Sequence, residues 1–227
     1  MRAVQPGAAA RRGAREQAPG LAELLSGDVV SAAAGLIGCV LACRLPAQGT
    51  GASRIVRALI VETEAYHQRE PGSHAFNGRT PRNAVMFGPP GRLYVYFTYG
   101  MWHCANVVCE PAGTAAAVLL RAAMPLPPDD GSVAGIEQLR LSGPGLLCRG
   151  LQLDRQHNGA NVLDRRGEVW LYRPARGVLP PLRWTRRIGF SFLSELEWRC
   201  CWDGHPAVSP ASTGVIARGS RRRKADT

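Results

Sequence analysis

The clearest alternation of polar and apolar positions in this chain runs over residues 54–66 and predicts a long β-strand. Because side chains two residues apart on a strand share a face, Glu62, Glu64 and Tyr66 should point one way. The residues between them should point the other way. One face of the strand is therefore expected to carry carboxylates and an aromatic ring, and the opposite face to join the core.

The other apolar periods predict many strands and few helices. Strands are predicted over residues 39–45, 93–98, 102–109, 114–124, 168–172, 185–190 and 197–202, and helices over 21–25, 30–36, 136–141 and 143–151. Ser26 or Asp28 is available to cap the second helix. Residues 48–51 form a predicted turn between the first two strands, and Tyr99-Gly100 forms the turn of another hairpin. This order favours an α+β fold with a single domain: a curved, mostly antiparallel sheet, helices packed beside it and a protruding β-hairpin.

Residues 67–91 show no sustained period, and proline recurs along them. A loop of this length inside a compact domain is more often functional than not. It carries His74 and two arginines, Arg79 and Arg82, in the run over residues 79–83. We expect the loop to form part of a binding site.

The composition is that of a packed globular protein with basic ends. The hydrophobic fraction is 45% and the charged fraction 20%, and no interior linker is long enough to separate two cores. The net charge is +11; residues 1–19 hold four arginines against one glutamate, and residues 218–227 hold five basic residues against one aspartate. We therefore predict a domain over residues 21–210 between two disordered basic tails, 1–20 and 211–227, that attract a polyanion. Tails that serve solubility alone are the alternative interpretation.

Residue usage also narrows the chemistry. Lys224 is the only lysine, so a Schiff-base mechanism finds no amine in the predicted domain. The seven cysteines include no C-x-x-C pair, so we expect buried, reduced thiols, and we predict neither a metal nor another cofactor. No signal-peptide core is visible, and the longest uncharged run, residues 29–43, is too short to span a bilayer. We expect a soluble, cytoplasmic protein, associated with the nucleoid if its source is a prokaryote.

The predicted strand over residues 93–98 is rich in tyrosine and suggests a slot for a flat ring. If it neighbours the strand over residues 54–66, the rings of Tyr66 and Tyr96 could stack on a planar ligand from opposite sides while Glu64 points at its edge. A nucleobase is such a ligand, and base–aromatic stacking contributes about 1–3 kcal/mol per base. Alternatively, the tyrosines pack the core with their hydroxyl groups hydrogen-bonded.

Several motifs, in one order, resemble those of the alkyladenine (3-methyladenine) DNA glycosylases across residues 21–210. The motifs are Val61-Glu62-Thr63-Glu64-Ala65-Tyr66, Ser73-His74, Arg79-Thr80-Pro81-Arg82-Asn83, Met86-Phe87, the run from Leu93 to Met101, Asn106, Leu119-Leu120-Arg121-Ala122, Ser142-Gly143-Pro144 and Arg187-Ile188-Gly189. Such a series is far more specific than a lone short motif.

The resemblance implies a monofunctional DNA glycosylase that swings a damaged purine, alkylated or deaminated, out of duplex DNA and hydrolyses its N-glycosidic bond. It implies two catalytic residues: Glu64, which deprotonates the attacking water, and Arg121, which helps to hold that water. The other implied roles are purine contacts for Tyr66, His74, Tyr96 and Asn106, intercalation for Tyr99, and contacts with the DNA backbone for Arg79 and Arg82. The enzyme would start base excision repair, acting as a monomer on double-stranded DNA and without a membrane partner.

Alternatives remain open at this point. Glu62 shares the predicted face of Glu64 and could take the catalytic role, although the family register favours Glu64. The chain could instead be a non-catalytic protein that binds damaged DNA. A base deaminase also flips bases, but it requires an H-x-E motif and a P-C-x-x-C zinc motif, and the sequence contains neither. Neutral lesions would need an acid to protonate the leaving base, and His74 is the only nearby candidate.

Overall fold

The computed structural model describes residues 20–46, 53–128, 138–174, 180–189 and 195–210. In these ranges the helices are α1 (Leu21–Ser26), α2 (Val29–Leu36) and α3 (Pro144–Gly150), with 3₁₀ turns at Ala84–Phe87 and Arg155–His157. The strands are β1 (Val40–Leu45), β2 (Arg54–His67), β3 (Leu93–Thr98), β4 (Trp102–Val108), β5 (Ala116–Leu126), β6 (Val169–Tyr172), β7 (Leu182–Thr185) and β8 (Arg199–Trp202). The fold is α+β, with few helices beside one curved antiparallel sheet, as predicted.

Strand β2 lies at the centre of the sheet and changes partner along its length. The main strand order is β3-β4-β5-β2-β1-β6, and β8 also pairs with β2, with β7 beside it. β2 pairs with β1 over residues 54–59 and with β8 over residues 62–64. Between these stretches its register against β5 shifts twice, within residues 60–63. Bulges of this kind increase twist and bend a strand, so the sheet curves where the two glutamates lie.

Helix α2 covers the face of β2 that does not carry the carboxylates. Asp28 caps this helix, because its Oδ1 accepts from the N–H groups of Val30 and Ser31 at 3.1 and 2.9 Å. The hydroxyl of Thr63 on β2 donates to the carbonyl of Ala33 at 2.9 Å. Apolar residues of α2 and of the neighbouring strands form the main core on this side, and all seven cysteines are buried, as predicted.

The structure confirms the antiparallel hairpin of β1 and β2 and the hairpin of β3 and β4. It also confirms that the loop after β2 is irregular, with one 3₁₀ turn. The predicted turn over residues 48–51, residues 1–19 of the predicted tail over 1–20, and the predicted tail over 211–227 lie outside the described residues. None of the described helices could span a bilayer, since the longest of them, α2, has eight residues.

Two predicted elements are wrong. Residues 138–141, the described part of one predicted helix, are not helical because the segment runs beside β5, where the Leu141 carbonyl accepts from the Ala123 N–H at 3.0 Å. The strand predicted over residues 185–190 ends at Thr185. After that residue the chain turns, and Arg187 and Ile188 contact the buried Glu70 and Glu64 instead of a strand partner.

Candidate active site

A cavity of about 420 Å³ opens on the face of the sheet that carries the carboxylates, and this volume suits a small flat ligand. Six predicted site residues line it: Tyr66, His74, Tyr96, Tyr99, Asn106 and Arg121. The strands of Tyr66 and Tyr96 are not neighbours, since β4 and β5 lie between β2 and β3. The curvature of the sheet therefore brings the two rings to one cavity.

The Glu64 carboxylate lies directly behind the cavity wall and exposes no surface. Its Oε1 accepts from the backbone N–H of Ile188 at 2.7 Å, and its Oε2 accepts from the Tyr66 hydroxyl at 2.8 Å. Nη1 of Arg121 lies 3.1 Å from the same Oε2. Burial, reinforced by the charge of Glu64 and by this hydrogen bond, raises the pKa of Tyr66 well above its ordinary value, so the hydroxyl keeps its proton. These three residues that contact the Glu64 carboxylate all line the cavity.

Glu62 is equally buried but is surrounded by protein. Its Oε1 accepts from Nε of Arg121, Nε of Arg199 and the hydroxyl of Ser209, at 2.7, 2.8 and 2.8 Å. Its Oε2 accepts from the backbone N–H of Ser209 at 2.7 Å. Burial works to raise the pKa of Glu62, but the charge of Arg121 and the hydrogen bonds from Ser209 and Arg199 outweigh it and hold the pKa below its ordinary value.

The positions of their donors separate the two glutamates. Each carboxylate oxygen offers about two lone-pair positions. Among the described contacts, Glu62 receives four donors, three of them on Oε1, and Glu64 receives three, only one of them on Oε1. All three donors to Glu64 come from residues that line the cavity, whereas Arg199 and Ser209, which donate to Glu62, do not line it. Arg121 connects the two groups; burial works to lower the pKa of Arg121, but the charges of Glu64 and Glu62 raise it above its ordinary value.

Aromatic rings from β3 and from the loop after β2 form another part of the cavity wall. The ring centroid of Tyr96 lies 4.5 Å from that of His74, in an edge-to-face arrangement, and 5.3 Å from that of Tyr94. Nδ1 of His74 is 3.1 Å from the Tyr94 hydroxyl. Desolvation of the ring, together with the charge of Arg82, lowers the pKa of His74 below its ordinary value. The imidazole is therefore mainly neutral at pH 7.

Asn106 fixes one wall of the cavity on β4. It is buried, and its Nδ2 donates to the Tyr94 carbonyl on the neighbouring strand at 3.1 Å. This hydrogen bond spans the β3–β4 pair and determines which way the amide faces. The side chain therefore has a defined position at the cavity wall.

The β3–β4 hairpin ends in a tight turn beside the cavity. Tyr99 and Gly100 both have positive φ, +50° and +68°, which is the pattern of a type I′ turn, and the Met101 N–H donates to the Thr98 carbonyl at 3.2 Å. A left-handed backbone is uncommon at a tyrosine. The side chain of Tyr99 nevertheless occupies the tip, where 80% of the residue is exposed.

The sequence pattern behind this geometry matches a known family. The family model described as methylpurine-DNA glycosylase (MPG) matches residues 23–206. The chain belongs to the methylpurine-DNA glycosylase family. That match spans β1 to β8 and therefore includes both glutamates, the aromatic wall and the hairpin.

Similar proteins carry names that agree with this family. A relative from a Synechococcus species is 47% identical over 161 residues, which cover 68% of this chain and 83% of the relative. One from Synechococcus elongatus is 40% identical over 208 residues (89% and 93%), and one from Streptomyces avermitilis is 37% identical over 221 residues (93% and 98%). All three are named provisionally as 3-methyladenine DNA glycosylases. The chain is accordingly a DNA glycosylase.

The two arginines predicted to contact the DNA backbone occupy different surroundings in this glycosylase. The guanidinium of Arg82 lies 5.6 Å from the Tyr96 ring centroid, and its Nη2 is 3.4 Å from the Phe97 carbonyl. Arg82 is thus held beside the aromatic wall. Arg79 is exposed on the loop. Backbone contact stays a prediction for both residues.

The sequence predicted no separate role for Asn83, although this residue organises one loop of the glycosylase site. Asn83 is buried and ties the loop together: its Nδ2 donates to the His74 and Gly78 carbonyls at 2.9 and 3.0 Å, and its Oδ1 accepts from the Thr80 N–H at 2.6 Å. The only available signal was an asparagine in a proline-rich loop.

In the described part of the chain, no group of three or more His, Cys, Asp or Glu side chains could hold a metal ion.

Proposed function

We propose that this DNA glycosylase hydrolyses the N-glycosidic bond of alkylated or deaminated purines extruded from duplex DNA, with Glu64 as the general base. One observation carries the proposal: the Glu64 carboxylate contacts Tyr66, Arg121 and Ile188, and all three line the cavity. A water that donated to the Glu64 carboxylate would face the sugar of an extruded nucleotide. Glu64 would take a proton from that water while the oxygen attacks C1′ and the base leaves with the bonding electrons.

The catalysis required of Glu64 is modest when the leaving base is already cationic. A nucleotide of 3-methyladenine carries a positive charge on the base, so the base departs neutral without being protonated first. Positioned proton transfer supplies about 10²–10⁴-fold, and alignment of the water with C1′ adds to it. Arg121 would help to hold the water, and its contact with Glu62 keeps it in place. The lack of any lysine other than Lys224 supports hydrolysis without a Schiff-base intermediate.

The cavity wall would select the damaged purine. Tyr66 and Tyr96 would stack on the extruded base and His74 would contact it. The fixed amide of Asn106 would crowd the exocyclic amine of guanine and so discourage attack on the normal base. Deaminated purines such as hypoxanthine are neutral and need a proton to leave. Because the lowered pKa keeps His74 mainly neutral at pH 7, we expect these lesions to be released more slowly than cationic ones.

The hairpin tip would fill the gap left by the extruded nucleotide. Extrusion costs a few kcal/mol of stacking and pairing, and least for weakly paired lesions. An aromatic ring inserted between base steps offsets part of that cost. Tyr99 is more exposed than Phe97, the other aromatic residue at the tip, while Arg79 and Arg82 would contact phosphates nearby. We propose that the protein acts in this way as a monomer.

A lesion panel tests the proposed reaction. The protein is incubated with duplexes that contain one ethenoadenine or one hypoxanthine, and with methylated bulk DNA, and abasic sites are then cleaved by hot alkali. We expect scission with at least one substrate, and strongly reduced scission but retained binding for Glu64→Gln. Binding of damaged DNA without scission on any substrate would instead indicate the non-catalytic binding protein.

A further inference from the structure

A buried arginine lies directly against the ring of Tyr66. The guanidinium carbon of Arg187 is 4.5 Å from the Tyr66 ring centroid and 5.8 Å from that of Trp198. This distance to Tyr66 is within the range of a cation–π contact. The side chain of Arg187 exposes none of its surface and is not part of the cavity wall, whereas Tyr66 is. The cation therefore contacts the ring without lining the cavity itself.

Glu70 holds this arginine in one orientation. Nη1 of Arg187 donates to Oε1 of Glu70 at 2.8 Å, Nη2 donates to Oε2 at 2.7 Å, and Nη1 also donates to the Ala65 carbonyl at 3.0 Å. Paired hydrogen bonds between a guanidinium and a carboxylate fix the plane of the guanidinium. Glu70 in turn accepts from the N–H of Gly72 at 2.8 Å, and Gly72 lines the cavity.

The backbone that follows Arg187 contacts the proposed general base. The N–H of Ile188 donates to Oε1 of Glu64 at 2.7 Å, while Tyr66 donates to Oε2. Anchoring Arg187 therefore fixes a donor to each oxygen of Glu64: the Ile188 N–H through the chain and the Tyr66 hydroxyl through the ring. Stability alone does not account for this arrangement, because a buried ion pair is often no more stabilising than apolar side chains of the same volume.

We propose that Glu70 and Arg187 are positioning residues for base excision: they hold the Tyr66 ring and the Glu64 carboxylate in the geometry that the reaction needs. The proposal rests on the role of Glu64 as general base. Neither residue lines the cavity. A displacement of about 1 Å at a reacting group can cost about 10²-fold in rate, so the pair acts on the chemical step more than on DNA affinity.

The test uses two conservative variants and a matched control. Arg187→Lys keeps the charge but not the paired hydrogen bonds, and Glu70→Gln keeps the shape but not the charge. Arg183→Met is the control, since Arg183 forms a half-exposed pair with Asp203 at 3.1 Å on the strand that leads into this segment. Each protein is assayed for single-turnover excision, for affinity toward a duplex with a tetrahydrofuran abasic-site analogue, and for thermal unfolding.

We expect the maximal single-turnover rate of both variants to fall by about 10²-fold, with affinity for the abasic-site duplex within about threefold of wild type. The control should keep both values. An unchanged rate in a folded Arg187→Lys or Glu70→Gln would overturn the proposal. So would equal losses of rate and affinity, or failure of both variants to fold, because each result would make the pair a purely structural element. If only one variant folds, that variant decides.

Glu64→Gln, measured alongside, separates this inference from the proposed function. If Glu64→Gln retains full excision, the role of Glu64 fails and the positioning proposal fails with it. If Glu64→Gln is inactive while Glu70→Gln and Arg187→Lys excise at the wild-type rate, only the positioning proposal fails.

Discussion

The charged cluster beneath the cavity wall, which we call the floor, and the tip of the β3–β4 hairpin are built in opposite ways. The floor, which consists of Glu62, Glu64, Arg121 and Arg199, is buried, and each carboxylate oxygen accepts at least one hydrogen bond. The tip, residues 97–101, exposes 80% of Tyr99. The floor is thus held by contacts within the protein, whereas the tip offers surface that a partner would cover.

The two regions also differ in the energetic cost of forming them. Each buried charge of the floor loses several kcal/mol of hydration, which only complete pairing offsets. The left-handed backbone of Tyr99 costs on the order of 1–2 kcal/mol and serves to carry a side chain at the turn. We therefore expect the floor to hold the reacting groups through contacts within the protein and the tip to act only on DNA. Substitutions in the floor should therefore change stability, and substitutions at the tip should change DNA handling.

The largest expected effect is on stability and comes from the floor. Glu62→Gln removes the charge that Arg121 and Arg199 share, and loss of one partner of a buried pair costs about 3–5 kcal/mol in the free energy of unfolding. Urea unfolding measures this loss. Asp203→Asn is the control, because Asp203 pairs with Arg183 at a half-exposed position and such pairs contribute about 0–1 kcal/mol. Equal losses in the two variants would remove the distinction between buried floor and exposed surface.

The tip should show the reverse behaviour. Tyr99→Ala removes an exposed ring, so the free energy of unfolding should change by less than about 0.5 kcal/mol. Loss of stacking with DNA should cost about 1–3 kcal/mol, or roughly 5- to 150-fold in excision at limiting enzyme concentration. Tyr99→Phe keeps the ring and should match wild type. The distinction between floor and tip would be wrong if Tyr99→Ala lowered the free energy of unfolding as much as Glu62→Gln does. It would also be wrong if Tyr99→Ala excised lesions at the wild-type rate.

The same contrast determines what the sequence could predict. The alternation around Glu64 and Tyr66 placed both on one face, because strand period is a local property, and the Tyr99-Gly100 turn was equally local. The ion pairs in and beside the floor join residues that are distant in sequence: Arg199 lies 137 residues from Glu62, and Arg187 lies 117 residues from Glu70. The contact from Ile188 to Glu64 comes from a backbone N–H. Every residue except proline has this group, so the residue type at position 188 does not indicate the contact. Such contacts depend on the curvature of the sheet, which pattern alone does not provide.

Acid should weaken the floor and leave the tip unaffected. The folded pKa of Glu62 lies below its ordinary value, so its pairing contributes fully at pH values above the unfolded pKa and is lost as pH falls through the folded pKa. The melting temperature of the wild-type protein should therefore decline below about pH 4.5. Glu62→Gln, already weakened at neutral pH, should decline less over the same interval, and Tyr99→Phe should follow wild type. Parallel curves for wild type and Glu62→Gln would show that other groups cause the acid sensitivity.

The smallest expected effect concerns Asn106, which lies in the cavity wall and belongs to neither region. Its amide donates to the Tyr94 carbonyl, so its bulk is held in place. Asn106→Ala should open space for the exocyclic amine of guanine and raise release of normal guanine by about tenfold, since pocket contacts of this size are worth about 1–3 kcal/mol. Asn106→Leu is the matched control because it retains the volume and loses the hydrogen bond. Guanine release that rises equally in both variants would make the hydrogen bond, and not the bulk of the side chain, the basis of exclusion.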